Sequence, residues 1–600
     1  MSKSKQKLEL TWIGKEKRPR LEPRILVENS AKSYHAKHRV TENDIFDNRL
    51  IFGDNLLALK ALEHDFTGKI KCIYIDPPFN TGAAFEHYDD AVEHSIWLGL
   101  MRDRLEIFRR LLTDDGVLFV HIDDKEMAYL KVVCDEVFGR SQFLNMIVAK
   151  TSDPSGHKTV NPSPYSQTEY VLMYAKERAS YKYEQIYVES SYDPGYGKVV
   201  LNRHEHYSKW KVGGLNELVA SSLGYENTRA ARKAMGRMTF DAAVAGYALE
   251  HKDSVFQAVA ISDAAGRAIV DAREQSKRQS DTVICVHREG YDDVYVLNGR
   301  QVYFYSSKVR DIDGELVPAK PLTNLWTDIP WNGIASEGAV EFKNGKKPEK
   351  LIRRCLQIAS NPGDWVLDSF AGSGTTGAVA HKMGRRWIMV ELGNHCHTHV
   401  IPRLRKVIDG EDHSGVTDSV GWKGGGGFRY YSLAPSLIVN DRWGNPVINP
   451  EYNAAQLAEA LAKLEGFTYA PSDVNWWQHG HSSERDFIYV TTQNLSAEQL
   501  QALSDEVRND QSLLVCCAAF HGITAAQAAA RWPNLTLKKV PKMVLARCEW
   551  GHDDYSLNVA NLPMAQEDEP AVAASTAMRK TKKTASANEA QSGLFGESEA

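Results

Sequence analysis

Apolar runs of strand length alternate with stretches of helical periodicity along much of the chain. Residues 49–53 read as a strand closed by Gly53-Asp54-Asn55, and 56–62 as a helix. The run 70–75 is mostly apolar, as in a strand covered on both faces. A long amphipathic helix over 92–112 contains Trp97, Met101 and Leu105; 116–122 is a strand ending in Asp123-Asp124. A helix over 125–138 and strands near 143–149 and 169–176 continue the series. Strands alternating with helices predict a mostly parallel, covered sheet.

The alternation stops near residue 185 and gives way to Tyr/Gly-rich mixed structure up to 320. Inside this insert, 294–297 and 301–305 flank Asn298-Gly299, which predicts a hairpin with a two-residue turn. Residues 229–237 form a short basic helical patch. The alternation resumes at Gly345-Lys346-Lys347-Pro348 with a helix over 349–359, a strand over 365–367, a glycine-rich turn, and a strand over 387–390 ending in Glu391. Residues 423–427 (KGGGG) read as a linker, and 436–562 as a separate α/β segment. There Ser496 and Gln499 form a capping box after a strand over 487–491. Beyond 563 the Ala/Glu/Lys/Ser-rich chain is expected to be disordered.

Composition narrows the class. With 43% hydrophobic and 25% charged residues over 600 positions, the chain can bury several cores. It shows no apolar stretch near membrane-spanning length and no leader-like start, so no membrane partner and a cytoplasmic location are expected. The eight cysteines form no Cys-x-x-Cys pair, which favours reduced thiols over a disulfide framework or zinc ribbon. Residues 1–40 carry 11 Lys/Arg against 4 Asp/Glu, a basic arm suited to phosphates or simply solvated.

Two stretches carry chemistry. Asp76-Pro77-Pro78-Phe79-Asn80-Thr81-Gly82 follows the 70–75 strand, at the strand end where open α/β sheets place ligands. Proline stiffens the residue before it, so the loop presents a carboxylate, a fixed carbonyl and an aromatic face. That set suits a planar ring with an exocyclic amino group. The second stretch, Asp368 to Gly377, contains Gly372-x-Gly374-x-x-Gly377, with Glu391 19 residues beyond Gly372. Alone it matches the dinucleotide fingerprint; it lacks the Gly-Lys-Ser/Thr of a phosphate-binding loop. Hydride transfer has no use for the Asp76 cradle, whereas transfer to an amino group does.

DPPFNTG together with FAGSGTTG resembles the amino-methylating DNA methyltransferases that use S-adenosylmethionine, in the order of their β-type and over roughly residues 49–410. The modification subunits of type III restriction systems are the nearest pattern. Phe79 departs from it, since tyrosine is more usual there. The resemblance implies a Rossmann-like methyltransferase sheet with an inserted target-recognition domain and an additional C-terminal α/β domain. The expected division is a basic arm (1–48), a catalytic half (49–184), the recognition insert (185–320), a cofactor half (321–422), a Gly-rich linker (423–435), the C-terminal domain (436–562) and a disordered tail (563–600).

Carried over by resemblance, Asp76, Pro77, Pro78 and Phe79 are catalytic. Asp54 lies near the cofactor's adenine; Asp368, Phe370, Gly372, Gly374 and Thr375 line its methionine and ribose side, and Glu391 meets the ribose hydroxyls. The helix start at 345–351 closes over the cofactor, and 167–174 flanks the base pocket. The implied reaction is methylation of adenine N6 on flipped-out double-stranded DNA. Cytosine-N4 methylation and a chiefly DNA-recognising subunit of a defence complex are the alternatives. A homodimer and a restriction or defence subunit are admitted as partners. No metal is expected: His395-Cys396-His397 with His399 reads as an ordinary helix entry, and Cys516-Cys517 as buried thiols. In the tail, Gln591, Leu594 and Phe595 resemble a bacterial sliding-clamp peptide.

Overall fold

The computed structural model describes residues 9–79, 94–152, 164–342, 345–551 and 553–555. Asn80 to Gly82 and the clamp-like peptide at 591–595 lie outside the described residues. An 11-stranded sheet forms the centre. In chain order its strands are β1 (Leu26–Glu28), β2 (Tyr34–His35), β3 (Asn48–Phe52), β4 (Ile70–Ile75), β5 (Leu112–Ile122), β6 (Phe143–Lys150), β7 (Thr168–Ala175), β8 (Leu325–Trp326), β9 (Trp365–Asp368), β10 (Arg386–Glu391) and β11 (Gly427–Leu433). They lie in the order β1-β11-β3-β10-β9-β4-β5-β7-β6-β8, with β2 also on β11.

From β11 to β5 all neighbours are parallel. β7 runs antiparallel between β5 and β6. Helices α1 (Asn55–Phe66), α2 (His94–Leu111), α3 (Met127–Phe138), α4 (Glu349–Ala359), α5 (Thr375–Lys382) and α6 (Ile401–Asp409) connect these strands. β4 and β9 are almost wholly buried, as their continuous apolar character requires. Their side-by-side pairing brings the two distant motifs to one edge of the sheet.

The insert leaves and rejoins the core through Tyr187–Glu189 paired with Glu315–Pro321. Its Val294–Leu297 and Arg300–Phe304 strands are antiparallel around Asn298 and Gly299, both at positive φ, as a two-residue hairpin turn requires. Beyond the core, Asp486–Val490, Ser512–Cys517 and Leu535–Lys539 form a parallel sheet, and Ser496 with Gln499 makes the capping box.

Two expectations are corrected. The 423–435 segment is no linker: Gly427–Leu433 is a central-sheet strand between β1 and β3. A run of glycines reads as flexible, but here it lets backbones meet. A Cβ on Gly426 would lie 2.6 Å from the Ile45 carbonyl, and one on Gly424 3.0 Å from the Gly410 amide. Nor is the described part of 1–48 a free arm. β1 and β2 pair with β11, Arg24 is buried against the Ala434 carbonyl, and Lys15 pairs with Glu136. Several of its cations, Lys15, Arg18 and Arg24 among them, are spent on internal partners. All eight cysteines are unpaired. Among the described residues no helix is long and apolar enough to cross a membrane.

Candidate active site

Asp76 follows the last residue of β4, and three other elements bring side chains to it. Lys347 Nζ, from the turn before α4, is 3.3 Å from Asp76 Oδ1 and 3.2 Å from Glu169 Oε2 at the start of β7. His121, near the end of β5, sets Nε2 2.6 Å from Glu169 Oε2. The Tyr74 hydroxyl is 2.8 Å from His121 Nδ1.

The rings complete a box. The Lys347 ammonium lies 4.7 Å from the centre of the Phe79 ring and 5.8 Å from that of Trp331. His121 stands 6.1 Å from Phe79 and 6.2 Å from Trp331. Trp97 of α2 donates Nε1–H to the Pro78 carbonyl at 3.0 Å, which fixes the proline loop from behind.

Burial and charge divide the two carboxylates. Burial raises the pKa of Asp76, and the nearby Lys347 and His121 only partly oppose it. Burial works against Glu169 too, but the Lys347 ammonium and the His121 hydrogen bond prevail and hold it down to about 2. Burial also opposes the Lys347 charge; Asp76 and Glu169 outweigh it and raise the lysine's pKa. Glu169 is thus the firm anion. One lysine serves two carboxylates, so Asp76 and Glu169 share the Lys347 charge.

The glycine-rich turn lies at the end of β9, the neighbour of β4. Asp368 Oδ1 accepts the Phe370 amide at 2.9 Å and Oδ2 the Thr376 hydroxyl at 2.5 Å; burial, the largest influence, lifts its pKa to about 7. Glu391 Oε2 accepts the Gly372 amide at 2.7 Å and Oε1 the Gly393 amide at 2.8 Å. Gly374 opens α5 at φ 77°, a conformation that favours glycine. A Cβ on Gly377 would sit 2.3 Å from Met389 Cε, so this glycine lets helix and strand pack closely. Phe370 is nearly buried beside the turn.

Arg403 Nη1 donates to the Thr375 hydroxyl oxygen at 2.8 Å. Arg403 also reaches Glu349, at the start of α4, at 2.8 Å, and Lys382 holds the same carboxylate. This buried network ties the turn to the helix that delivers Lys347. Asp54 caps α1 by accepting the Leu57 amide, and its other oxygen accepts the Tyr555 amide at 2.9 Å. Asn55 donates to the Ser369 carbonyl, which joins α1 to the turn.

The predicted site residues therefore fall into two adjoining groups: Asp76 to Phe79 just beyond β4, and Asp368 to Thr375 with Glu391 on β9, the turn after it, α5 and β10. Asp54 lies beside the second group, its carboxylate accepting two backbone amides with Arg104 3.8 Å away. His121 and Trp331 lay outside the sequence expectation. Lys347 and Glu169 fell in segments singled out there but were not named as site residues. The adjacent lysines in Gly345-Lys346-Lys347 differ sharply: Lys346 donates to the Ala335 and Val340 carbonyls, and only Lys347 enters the box.

The mostly parallel sheet thus sets an acidic proline loop beside a glycine-rich turn. The family model for DNA methylases of the N6/N4 kind matches residues 70–401, and the chain belongs to that family. It is 34% identical over 417 residues to a protein of Haemophilus influenzae named as the probable type III restriction-modification enzyme HindVI Mod subunit, over 65% of this chain and 54% of that protein. It is 24% identical to the type III EcoP15I Mod subunit of Escherichia coli, over 89% of this chain and 90% of that one. A 56-residue stretch, 9% of this chain and 19% of the other, is 55% identical to the DNA adenine methyltransferase YhdJ of Escherichia coli. The match to HindVI Mod spans about half of that relative's length. Among solved structures, the cytosine-N4-specific PvuII DNA methyltransferase is 12% identical, covers 64% of this chain and 94% of that one, and superposes with a TM-score of 0.29.

Proposed function

We propose that the chain transfers a methyl group from S-adenosylmethionine to N6 of an adenine flipped out of double-stranded DNA, as the modification component of a restriction-modification system. The observation that carries this reading is the placement of Asp76 and the glycine-rich turn on neighbouring parallel strands, opening at one edge. Membership of the DNA methylase family, the Mod-subunit relatives and the adenine-specific stretch support it. A restriction subunit as partner rests on those relatives' names alone.

The residues fit the cofactor chemically. The buried Ser369 hydroxyl, without a hydrogen-bond partner among the described residues, is a ready donor at the turn. S-adenosylmethionine, when bound, supplies an electrophilic methyl group. Phe370 and the amides of the turn would hold it, with the Glu391 oxygens taking ribose hydroxyls beside the two amides they already accept.

The chain's own part is orientation. An adenine amino group is a poor nucleophile because its lone pair is delocalised into the ring. Accepted by Asp76 Oδ and the Pro77 carbonyl, its two hydrogens are drawn to one side, and the lone pair turns out of the ring plane. Such acceptors are preorganised, so they need not reorganise at the moment of reaction. Phe79 stacks on the base, returning roughly 1–3 kcal/mol of the cost of extrusion. With its pKa raised, Asp76 is suited to take the proton the amino group releases. Lys347 must give up its contact with Asp76 as the base arrives, and Glu169 offers it another seat.

Long-read methylome sequencing of a methylation-free bacterial host tests the proposal. Expression should place N6-methyladenine at one sequence motif, absent with Asp76→Ala. N4-methylcytosine instead would move the substrate to cytosine. No mark in either strain would sink the methyl-transfer reading.

A further inference from the structure

A second cluster of reactive side chains lies in the insert, apart from the methyl-transfer site. Ile284–Val286 and Val294–Leu297 pair antiparallel, Cys285 facing Tyr295 and Val286 facing Val294. One step further along that register, His287 comes opposite Asp293. Cys285 and His287, two positions apart, share a face of the hairpin. His287 Nδ1 is consequently 3.0 Å from Asp293 Oδ1 and 3.9 Å from Cys285 Sγ. All three donor atoms lie within 4.8 Å of one another, the sole such group among the described residues. Cys285 is also the one cysteine of the eight that is not buried.

We propose that Cys285, His287 and Asp293 bind one zinc ion, with a fourth position open to water. Tetrahedral zinc with bonds of about 2.3 Å to sulfur and about 2.0–2.2 Å to nitrogen and oxygen has S···N and N···O edges of about 3.6 and 3.4 Å. The observed separations of 3.9 and 3.0 Å differ from those edges by only a few tenths of an ångström. The donor set selects the class of ion. Magnesium and calcium take oxygen ligands, whereas thiolate with imidazole suits a borderline-soft divalent metal. Two donors stand on or just beyond one strand and the third directly across from it, so little chain entropy is lost on binding.

A plain His287–Asp293 ion pair would explain one of these two contacts, but it has no need of Cys285. The cysteine therefore separates the two interpretations. An ion here would clip the base of the loop over residues 288–292, which carries the exposed Tyr291. It would order that tip of the insert whether or not the chain methylates DNA.

The test is metal counting on the full chain, stripped with chelator and then dialysed against buffered zinc, for wild type, Cys285→Ser and Asp293→Asn. His287 and Asp293 are exposed and serine closely matches cysteine in size, so both variants should fold. Wild type should retain one zinc per chain, and Cys285→Ser should lose it. Cobalt in place of zinc should give a thiolate-to-metal absorption band in wild type that Cys285→Ser abolishes. A wild type that holds no zinc overturns the assignment. So does an equivalent retained equally by both variants, which would put the ion elsewhere.

Discussion

On the glycine-rich side of the site, Asp368 and Glu391 spend their oxygens chiefly on loop amides and a hydroxyl, with His395 also 3.1 Å from Glu391. On the Asp76 side, Asp76 and Glu169 face Lys347 and His121, side chains rather than backbone. The difference follows from what each side does. A cofactor is bound in the same pose at every turnover, so its cradle can be built into the backbone. A flipped base comes and goes, and its acceptors must be neutralised by something able to leave. Lysine, with a flexible four-carbon stem and a point charge, suits that task.

Substitutions on the Asp76 side should therefore damage turnover, and those on the glycine-rich side cofactor affinity. The largest effect is expected from Asp76→Ala, which should abolish transfer while S-adenosylmethionine binding, read by calorimetry, stays near wild type. Equal loss of both would break the division. Next comes Lys347→Met, which keeps the volume and removes the charge. Asp76 and Glu169 are then left facing each other, and the pKa of each should rise. The activity should fall by about 10–100-fold, as loss of one charged partner in a buried site implies. Its acid limb should also move to higher pH than in wild type. An unshifted pH profile would reduce Lys347 to packing.

Glu391→Gln tests the other side. A carboxylate accepts the Gly372 and Gly393 amides on separate oxygens; a carboxamide offers one oxygen and leaves an amide without its acceptor, at about 1–3 kcal/mol. Cofactor binding should weaken roughly 10–100-fold at that cost, with the rate at saturating cofactor little changed. A fall in that rate alone would contradict the assignment.

The two sides were also unequally legible in the amino-acid sequence. Asp76-Pro77-Pro78-Phe79 and the Gly372, Gly374 and Gly377 spacing are contiguous, and their chemistry is carried by local backbone geometry. Lys347, Glu169, His121 and Trp331 come from four separate stretches that meet only because β4, β5 and β7 are neighbours and the α4 helix start closes over them. Nothing in the pattern distinguishes Lys347 from Lys346; the path of the chain decides which one enters the box. The Gly424 to Gly427 run failed for another reason. Freedom to flex and freedom to pack tightly call for the same residue, so composition alone could not separate a linker from a strand. The hairpin at Asn298-Gly299 and the capping box at Ser496 were legible because turn and cap chemistry is local.

A smaller effect isolates Asp368. Its folded pKa, about 7, lies above the ordinary 3.8, so the folded chain holds a proton the unfolded chain releases. Its contribution to stability is therefore complete at low pH and is lost as pH rises from about 4 to about 7. Asp368→Asn can keep both hydrogen-bonding neighbours without titrating. The gap between melting temperatures at about pH 5 and about pH 8 should shrink in the variant. An unchanged gap would show that the carboxyl is not the group responsible.

The smallest effect is expected from Phe79→Tyr. If Phe79 acts through its face, as its position over the Lys347 ammonium indicates, the added hydroxyl lies in the ring plane and leaves stacking intact. Methyl transfer should stay within about threefold of wild type, while Phe79→Ala should lose the roughly 1–3 kcal/mol of a base-stacking ring. The pair reads face against edge. A tyrosine variant as poor as the alanine one would mean that the box accommodates phenylalanine by its edge. The base would then be gripped between Trp331 and His121 instead, and the contrast between a fixed cofactor cradle and an exchangeable base seat would have to be redrawn around those rings.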